Sequence, residues 1–276
     1  MFRWLRWYLA KARLAATPWS NPPGRVTLLS LPQRKRVHDF FPNADPYSKL
    51  SAFWEQYAEW YSSDYGRFLG SAQKYYGFKI SSVLDLACGT GLLTRRIARI
   101  FDSVVGLDIS QDMLNEAARR SESQNIRFVL GDFRDFRLGQ LFDAVVCAGD
   151  SLNYVQNPDE IRSVFRCVYR QLSSDGVFVF DALNQRACRN LRHTKTVVTL
   201  GDEQFMIYFF YNPEINVCED LVVFRDCVEK HRRVPIEKSQ VQEAAKDSGF
   251  EVAESFATSI FSNVGFRRHF YVLRKP

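Results

Sequence analysis

The sequence predicts an α/β fold: a seven-stranded, mostly parallel sheet with helices on both faces, a small antiparallel β insertion and a basic N-terminal arm. Apolar runs alternate with helical patterns between about residues 80 and 183, as in parallel strands joined by right-handed crossovers. The first run, Val83–Leu86, leads into a loop with two glycines and then a helical segment, the unit that opens doubly wound nucleotide-binding folds. Several β-rich runs without helices follow residue 184.

The Rossmann-like body begins with this strand and loop, and changes of hydrophobic period bound its later elements. Ser110 is the predicted N-cap of the second helix, because its hydroxyl can accept a bond from a free amide of the first turn. In order, we expect helix 91–100, strand 103–108, helix 110–121, strand 126–130, strand 142–148, helix 157–172 and strand 176–182.

Residues 184–236 are predicted to form the antiparallel insertion beside the mouth of the site. Its three β-rich runs are Thr196–Leu200, Gln204–Tyr211 and Leu221–Val228. A helix from Pro235 to Ser248, closed by Gly249, and two final strands, 250–257 and 268–274, complete the predicted order.

The basic charge is concentrated at the N-terminus. Residues 1–38 hold eight of the 37 Lys and Arg residues and no acidic residue, which leaves 29 basic against 31 acidic residues in the remainder. We therefore divide the chain into a basic arm and linker at residues 1–46, extended from residue 25, and a folded domain at residues 47–276. The nearly neutral domain argues against a nucleic-acid partner, which usually meets a basic face.

Residues 1–20 fit an amphipathic helix with apolar residues at helical spacing and arginines on a neighbouring stripe. Three interpretations stay open: a mitochondrial presequence, which is Arg-rich and acid-free, a peripheral contact with an anionic membrane surface, or a solvated extension. The sequence leaves the oligomeric state open.

Cysteine usage indicates the compartment. The six cysteines form no C-x-x-C pair and the four histidines are scattered, so we predict no metal site, no disulfide framework and a reducing environment. No apolar run approaches the roughly 20 residues that span a bilayer. We expect a cytoplasmic protein, or a mitochondrial matrix protein if residues 1–20 are a presequence.

The glycine loop is suited to a ligand. Gly89 and Gly91 let the backbone adopt positive φ and approach a bound group closely, and the helix amides that follow can receive a carboxylate or phosphate. Position 94 is Thr94, so the third glycine of a dinucleotide fingerprint is absent, and no Gly-Lys pair supports a Walker A loop.

Acidic residues lie at or near the ends of four predicted parallel strands: Asp85, Asp108, Asp132 and Asp150. Carboxyl ends of parallel strands meet at the edge of an open sheet where ligands bind. A single acid there is often a helix cap, but four in register indicate a binding site, and the second is well placed to hold both hydroxyls of a ribose.

The segments DLACGTG (85–91), GLDIS (106–110), GDF (131–133) and FDAVVCAGDSLNY (142–154), in this order and spacing, resemble the motifs of class I S-adenosylmethionine-dependent methyltransferases. The resemblance extends over roughly residues 54–276. Within the superfamily the chain is most similar to small-molecule enzymes of the glycine/sarcosine N-methyltransferase kind. The resemblance implies S-adenosylmethionine as the cofactor and an antiparallel pair of final strands.

The same resemblance implies cofactor contacts. Asp85 would orient the loop and the methionine amino group, Asp108 would bind the ribose, and Asp132 would face the adenine amino group. Tyr61 would belong to a segment closing over the cofactor, with packing on the sheet as the alternative for this aromatic run. The other implied contacts are Ala87, Gly89, Thr90 and Gly91 in the loop, Ile109 and Met113 against the adenine, and Phe133 beside the ring.

Methyl transfer is an in-line displacement that depends mainly on orientation, worth on the order of 7–11 kcal/mol, so it needs no metal. Asp150, Asn153 and Tyr154 follow the fourth strand, where the resemblance places the acceptor, and Asp150 or a water could take a proton from an amine. His231 resembles a strand histidine directed at the acceptor pocket, and Arg233 is a candidate clamp for an acceptor carboxylate.

Missing motifs narrow the acceptor. The Asx-Pro-Pro-aromatic motif of adenine methyltransferases, the Pro-Cys nucleophile of cytosine enzymes and the glutamate pair of protein arginine methyltransferases have no counterpart here. We therefore predict a small-molecule acceptor, methylated at an amine nitrogen, with oxygen as the open alternative. Two further hypotheses are an RNA or protein acceptor recruited by the basic arm, and a catalytically idle membrane-associated protein.

Overall fold

The computed structural model describes residues 27–30, 42–55, 65, 69–70, 79–191, 194–200, 202–258 and 268–276. The predicted arm helix at residues 1–20 and the predicted cofactor contact Tyr61 lie outside this part of the chain. Within it, no helix combines the length and the apolar character that crossing a membrane requires.

The described residues form thirteen strands, five α-helices and two 3-10 turns. The strands are β1 (Thr27–Ser30), β2 (Asn43–Ala44), β3 (Ser82–Leu86), β4 (Ser103–Asp108), β5 (Ile126–Leu130), β6 (Phe142–Cys147), β7 (Leu172–Ala182), β8 (Thr194–Leu200), β9 (Glu203–Asn212), β10 (Val217–Val223), β11 (Val228–Arg233), β12 (Glu251–Thr258) and β13 (Arg268–Arg274). The helices are α1 (Leu92–Ile97), α2 (Gln111–Arg119), α3 (Pro158–Gln171), α4 (Gln185–Leu191) and α5 (Lys238–Ser248), and the 3-10 turns are Leu50–Phe53 and Ser151–Tyr154.

The main sheet has the order β12-β13-β7-β6-β3-β4-β5. Its strands from β7 to β5 are parallel to their neighbours, and β13 and β12 are antiparallel at one edge. The predicted fold class is confirmed. The chain moves outward from β3 through β4 and β5 and then crosses to β6 on the other side of β3. The switch point is therefore at β3, where open α/β sheets bind ligands.

Both faces of the main sheet are covered, which explains why its strands are continuous apolar runs. On one face, Phe165 of α3 makes edge-to-face contacts with Phe178 and Phe180 of β7, with ring centroids 5.6 Å apart in both pairs. On the other, Ile97 of α1 is buried with Val83 of β3. These two layers hold the carboxyl ends of the strands in fixed register.

Local capping signals were sufficient to place several helix ends. The Ser110 hydroxyl accepts a bond from the Met113 amide and caps α2, as predicted. Gly249 ends α5 in the left-handed conformation with φ 86°, also as predicted. The helix α4 was not predicted, because its seven residues lie in a segment where β-rich runs dominate the pattern.

A second sheet has the order β1-β8-β9-β10-β11-β2 and is antiparallel except for the short β11–β2 pair. Two predictions about it are wrong. Leu221–Val228 is not one strand, since the chain turns at Phe224–Cys227 and Val223 pairs with Val228 across a hairpin. The predicted extended connector at residues 25–46 supplies two strands, β1 and β2, because its apolar run Thr27–Ser30 finds an edge to pair with.

Candidate active site

The loop after β3 has a backbone conformation with positive φ at several positions, which favours glycine. Ala87, Gly89 and Gly91 have φ of 55°, 56° and 72°. A Cβ on Gly91 would stand 2.7 Å from the ring of Phe128, so this position excludes any side chain. The loop backbone is thereby packed tightly against β5 below it and open toward the carboxyl edge of the sheet.

Asp108 ties β4 to this loop. Its Oδ2 accepts the Gly89 amide at 2.8 Å and its Oδ1 accepts the Ser110 amide at 2.9 Å. Burial raises the pKa of the carboxyl, while these amide bonds oppose the rise. A carboxylate oxygen accepts more than one hydrogen bond, so Asp108 retains acceptor capacity toward the cavity that it lines.

Asp85 lies deeper, at the end of β3. Its carboxylate accepts the Thr94 hydroxyl at 2.7 Å. Burial raises its pKa to about 7, although the Thr94 bond favours the charged form. The position where a dinucleotide-binding loop has its third glycine therefore serves here to hold an acidic side chain.

Asp132 is held by a neighbouring arginine. Its Oδ1 accepts the Arg134 amide at 2.9 Å, and Arg134 Nε lies 2.9 Å from its Oδ2. Burial alone would raise the pKa of Asp132, but the Arg134 bonds outweigh it and lower the pKa. Arg134 thus holds this carboxylate in place at the cavity, and its contact with the adenine amino group stays a prediction.

These elements enclose one wall of a cavity at the switch point. Ile109 is 66% exposed although apolar, and Met113 and Phe133 lie near it, so a flat ring could be covered by apolar side chains there. The lining includes nine of the predicted residues: Asp85, Ala87, Gly89, Asp108, Ile109, Met113, Asp132, Phe133 and Tyr154.

Two predicted loop residues lie behind this surface. Thr90 and Gly91 do not line the cavity. Thr90 is fully buried, and its hydroxyl has no hydrogen-bond partner among the described residues. Gly91 acts through its backbone, whose carbonyl accepts the Arg95 amide at 2.9 Å at the start of α1.

Residues 42–55 form the opposite wall, which we call the lid segment. Trp54 Nε1 lies 3.4 Å from the point where a Cβ on Gly89 would stand, and the Trp54 and Tyr47 rings meet edge to face at 5.3 Å. Glu55 pairs with Arg95 of α1 and, at 3.6 Å, with Arg120 after α2. Glu55 thus attaches the lid segment to α1, which follows the glycine loop, and to the end of α2.

Tyr47 was missed by sequence reasoning. It follows a proline-rich stretch with no periodic signal, and its partners are distant in sequence. Its hydroxyl lies 2.6 Å from that of Tyr154, 107 residues away. Only the fold brings the two side chains together at the cavity.

Asn153 has a different role from the predicted one. Its Nδ2 donates to the carbonyls of Leu183 and Val234, both at 2.8 Å, and its Oδ1 accepts the Leu183 amide at 2.9 Å. The side chain is 1% exposed and does not line the cavity. Because all these bonds go to backbone, Asn153 joins the 3-10 turn to the ends of β7 and β11 rather than contacting an acceptor.

Asp150 and Arg233 are likewise occupied. Arg233 pairs with both Asp150 and Asp220, and Arg268 Nη2 lies 2.5 Å from Asp150 Oδ1. Arg268 also pairs with Asp181 at 3.1 Å. Asp150 is buried outside the cavity lining, so it is not placed to take a proton from an acceptor, and Arg233 is not free to clamp a carboxylate.

Tyr154 and His231 do come together. The Tyr154 hydroxyl lies 3.0 Å from His231 Nδ1, and His231 Nε2 lies 3.4 Å from Glu229 Oε2. Alternation along β11 puts Glu229, His231 and Arg233 on one face of the second sheet. His231 is 3% exposed and stands behind Tyr154 rather than in the cavity lining.

Among the described residues, no group of His, Cys, Asp or Glu side chains is arranged to hold a metal ion. The fit to S-adenosylmethionine is supported by the loop cradle at Gly89, the acceptor oxygens of Asp85 and Asp108 and the exposed apolar Ile109. This cofactor combines an amino acid, a ribose and a purine, and the cavity lining contains a glycine loop, the carboxylates of Asp85 and Asp108 and apolar side chains.

The comparisons with known proteins agree. A methyltransferase domain model matches residues 83–176. A putative methyltransferase of Bacillus subtilis is 31% identical over 183 residues, which is 62% of this chain and 73% of the relative. A dTDP-3-amino-3,6-dideoxy-alpha-D-glucopyranose N,N-dimethyltransferase of Streptomyces fradiae is 32% identical over 143 residues, 51% of this chain and 55% of the relative.

Solved structures share the fold. An S-adenosylmethionine-dependent methyltransferase from Clostridium acetobutylicum has a TM-score of 0.70 at 22% identity, covering 83% of this chain and 98% of that one. An amino pentose methyltransferase from Micromonospora echinaspora, with S-adenosylmethionine bound, has a TM-score of 0.64 at 21% identity and covers 82% and 95%. The chain belongs to the class I S-adenosylmethionine-dependent methyltransferases.

Proposed function

We propose that this enzyme methylates an amine nitrogen of a small-molecule acceptor, of which an amino sugar is the leading class. Three of its relatives are named as N,N-dimethyltransferases of dTDP-linked amino sugars, and a fourth as a glycine/sarcosine N-methyltransferase. They match between 36% and 51% of this chain. We therefore use the residues of the site to support the choice of acceptor.

S-adenosylmethionine supplies an activated methyl group, which passes to a nucleophile as the carbon–sulfur bond breaks and its electron pair returns to sulfur. In our proposal Asp85 and the loop of Ala87, Gly89, Thr90 and Gly91 hold the methionine part, and Asp108 holds the ribose hydroxyls. Ile109, Met113 and Phe133 cover the adenine, with Asp132 oriented by Arg134 beside it. Tyr61 stays a prediction for this site.

The acceptor would lie against Tyr47 and Tyr154. Both tyrosines line the same cavity as Asp85 and Asp108. Ala148 and Ser151 connect the two halves at the end of β6. Trp54 covers the loop from above, which limits water at the point of transfer. The observation that carries the proposal is this continuity between an acid-lined half and a half with two tyrosine hydroxyls.

The test is a methylation assay with matched acceptors. Purified enzyme and methyl-labelled S-adenosylmethionine are incubated with a nucleotide-linked amino sugar, with sarcosine, and with the hydroxyl analogue of the same sugar. We expect label on nitrogen from at least one amine and none from the hydroxyl analogue. Label on the hydroxyl analogue alone would refute the proposal.

A further inference from the structure

We propose that Tyr47, Tyr154, His231 and Glu229 form a proton relay that removes a proton from the ammonium form of the acceptor, with the Tyr47 oxygen as its entrance. The inference rests on the proposed function, because it assumes an amine acceptor. It replaces the predicted proton acceptor Asp150, which is enclosed by two arginines. Tyr47 and Glu229 are the members that the sequence did not indicate.

If His231 accepts a hydrogen bond from Tyr154, the donor and the acceptor of the other hydrogen bond in the relay are determined. Tyr154 then donates to His231 Nδ1 at 3.0 Å, and its oxygen accepts the Tyr47 hydroxyl at 2.6 Å. Nδ1 must be unprotonated, so the proton of a neutral His231 lies on Nε2, which faces Glu229. The Tyr47 oxygen keeps an acceptor lone pair, and Tyr47 lines the cavity.

Neither tyrosine acts as a phenolate base. Burial raises the pKa of Tyr47 well above its usual value, and the neighbouring Tyr154 raises it further. Burial also raises the pKa of Tyr154. Both hydroxyls are therefore protonated at neutral pH and can pass a proton on only by giving up their own at the same time.

The groups around His231 fit a residue that becomes charged during turnover. Glu229 on its own strand is fully buried. Burial alone would raise its pKa, but the His231 ring at 3.4 Å and bonds from the Leu50 and Lys49 amides outweigh burial and lower the pKa. From β10, Asp220 stands opposite His231, and Arg233 on β11 pairs with that aspartate. Tyr47 from the lid segment contacts the imidazole at 4.6 Å between ring centroids.

The relay moves one proton from the acceptor to His231 in three transfers. The ammonium nitrogen gives one proton to the Tyr47 oxygen, the Tyr47 proton passes to the Tyr154 oxygen, and the Tyr154 proton passes to His231 Nδ1. The products are a neutral amine with a free lone pair and an imidazolium beside the Glu229 carboxylate. No group is oxidised or reduced, and the imidazolium loses its proton to buffer after product release.

Glu229 also holds the entrance of the relay in place. Its Oε2 accepts the Tyr47 amide at 3.0 Å, and its Oε1 accepts the Lys49 and Leu50 amides at 2.5 and 2.9 Å. The carboxylate that orients His231 thus fixes the turn that carries Tyr47. We assign Glu229 as a positioning residue that couples the lid segment to the relay.

The deciding experiment compares Tyr154→Phe with wild-type enzyme across pH, using an amine that the wild type methylates. At neutral pH we expect kcat/KM to fall on the order of 10²-fold, as for loss of general base catalysis. At pH values above the pKa of the acceptor amine, the difference in kcat/KM between wild type and Tyr154→Phe should narrow to a few-fold. A free amine needs no proton acceptor. S-adenosylmethionine affinity, measured by calorimetry, should stay unchanged.

Tyr208→Phe is the matched control, because Tyr208 lies on the face of the second sheet opposite to His231 and its hydroxyl donates to Met206 Sδ at 3.5 Å. It should behave as wild type. A loss in Tyr154→Phe that is equal at every pH would show a structural role and overturn the relay. Unaltered activity in Tyr154→Phe would overturn it too.

A second readout separates the relay from the proposed function. Nitrogen-15 NMR of the full chain, with no acceptor present, reports which nitrogen of His231 carries the proton. The relay requires the Nε2–H form in wild type and a changed Nδ1 shift in Tyr154→Phe. The Nδ1–H form would refute the relay whether or not any amine is methylated, whereas absence of amine methylation with the Nε2–H form would refute only the proposed function.

Discussion

Asp85 shows how burial of a single carboxyl links ligand binding to protons. Burial raises its pKa to about 7, so near neutral pH a substantial fraction of the protein carries it protonated. In our proposal its partner is the cationic amino group of S-adenosylmethionine. A cation favours the charged carboxylate, so binding should lower this pKa and release a proton.

We therefore predict that S-adenosylmethionine affinity increases as the pH rises toward 7 from the acidic side, by up to about tenfold per pH unit. Calorimetry in two buffers of different ionisation enthalpy measures the affinity and the proton released. Asp85→Asn should bind more weakly and lose this pH dependence. An affinity that is flat over the same pH range in wild type would contradict the assignment.

Gly91 shows that a positive φ and a close approach are separate constraints. Gly91 and Gly139 have nearly equal φ, 72° and 69°, but a Cβ on Gly139 would have no atom within 4 Å. The cost of placing alanine at positive φ, about 1–2 kcal/mol, is common to both. Only Gly91 adds a clash with Phe128.

We expect Gly139→Ala to lower the free energy of unfolding by about 1 kcal/mol and Gly91→Ala by about 2–5 kcal/mol. Urea denaturation followed by circular dichroism gives both values. Equal losses in the two variants would mean that the Phe128 contact relaxes at no cost.

The lid segment is the element that closes the cavity. It is fixed at its start by the Glu229 carboxylate and at its end by the pairs of Glu55 with Arg95 and Arg120. Glu229 lies on the second sheet, whereas Arg95 and Arg120 belong to the helices of the main sheet, so the lid segment spans the two halves of the site. We expect cofactor exchange to require the opening of at least one of these attachments.

We predict that Glu55→Gln speeds S-adenosylmethionine dissociation about 3- to 10-fold, since a partly buried ion pair contributes on the order of 1 kcal/mol. Stopped-flow displacement measures this rate. Added salt should speed dissociation from wild type and have less effect on the variant. Glu243→Gln, on the exposed side of α5, is the control, and a Glu55→Gln rate equal to that of this control would show that the ion pairs do not hold the lid segment closed.

The strands of the second sheet could be predicted only in part from the sequence. Its β9 residues Phe205, Ile207 and Phe209 face the lid segment and carried a strand signal, so β9 was predicted nearly to its ends. The hairpin between β10 and β11 was missed, because Phe224 and Cys227 continue the apolar pattern through the turn. The end of β10 and the start of β11 are determined by the pairing of the two strands, which is not a local property of the sequence.

A buried network of charged side chains joins the two sheets. Asp220 and Arg233 lie on the second sheet, Asp181 and Arg268 on the main sheet, and Asp150 between them bonds to both arginines. Burial raises the pKa of Asp181 and Asp220, which the arginines oppose. Removing one arginine leaves buried carboxylates without their partner.

We predict that Arg233→Met lowers the free energy of unfolding by about 3–5 kcal/mol, the usual cost of breaking a buried pair. Arg232→Met, the neighbouring residue on the exposed face of β11, should cost less than about 0.5 kcal/mol. Urea denaturation compares them. Similar stabilities would show that the charge network contributes little to joining the sheets.

The main sheet and the meeting of Asp85 and Asp108 at one cavity were predictable because their signals are local. The acids at Asp85 and Asp108 end strands whose carboxyl ends must meet, so strand order was not needed to bring them together. The acceptor half was not predictable in the same way. Tyr47 and Glu229 are 182 residues apart and meet only through the pairing of β2 with β11.

Calorimetric titration of S-adenosylmethionine into wild-type protein, Asp108→Asn and Asp102→Asn tests directly whether the cofactor binds in this cavity. Asp102 is exposed and precedes β4 at the opposite edge of the sheet, which makes it a matched control. We predict that Asp108→Asn weakens binding about 10- to 100-fold, the loss expected for hydrogen bonds to a charged group, while Asp102→Asn binds as wild type. Wild-type affinity in Asp108→Asn would contradict the placement of the cofactor in this cavity.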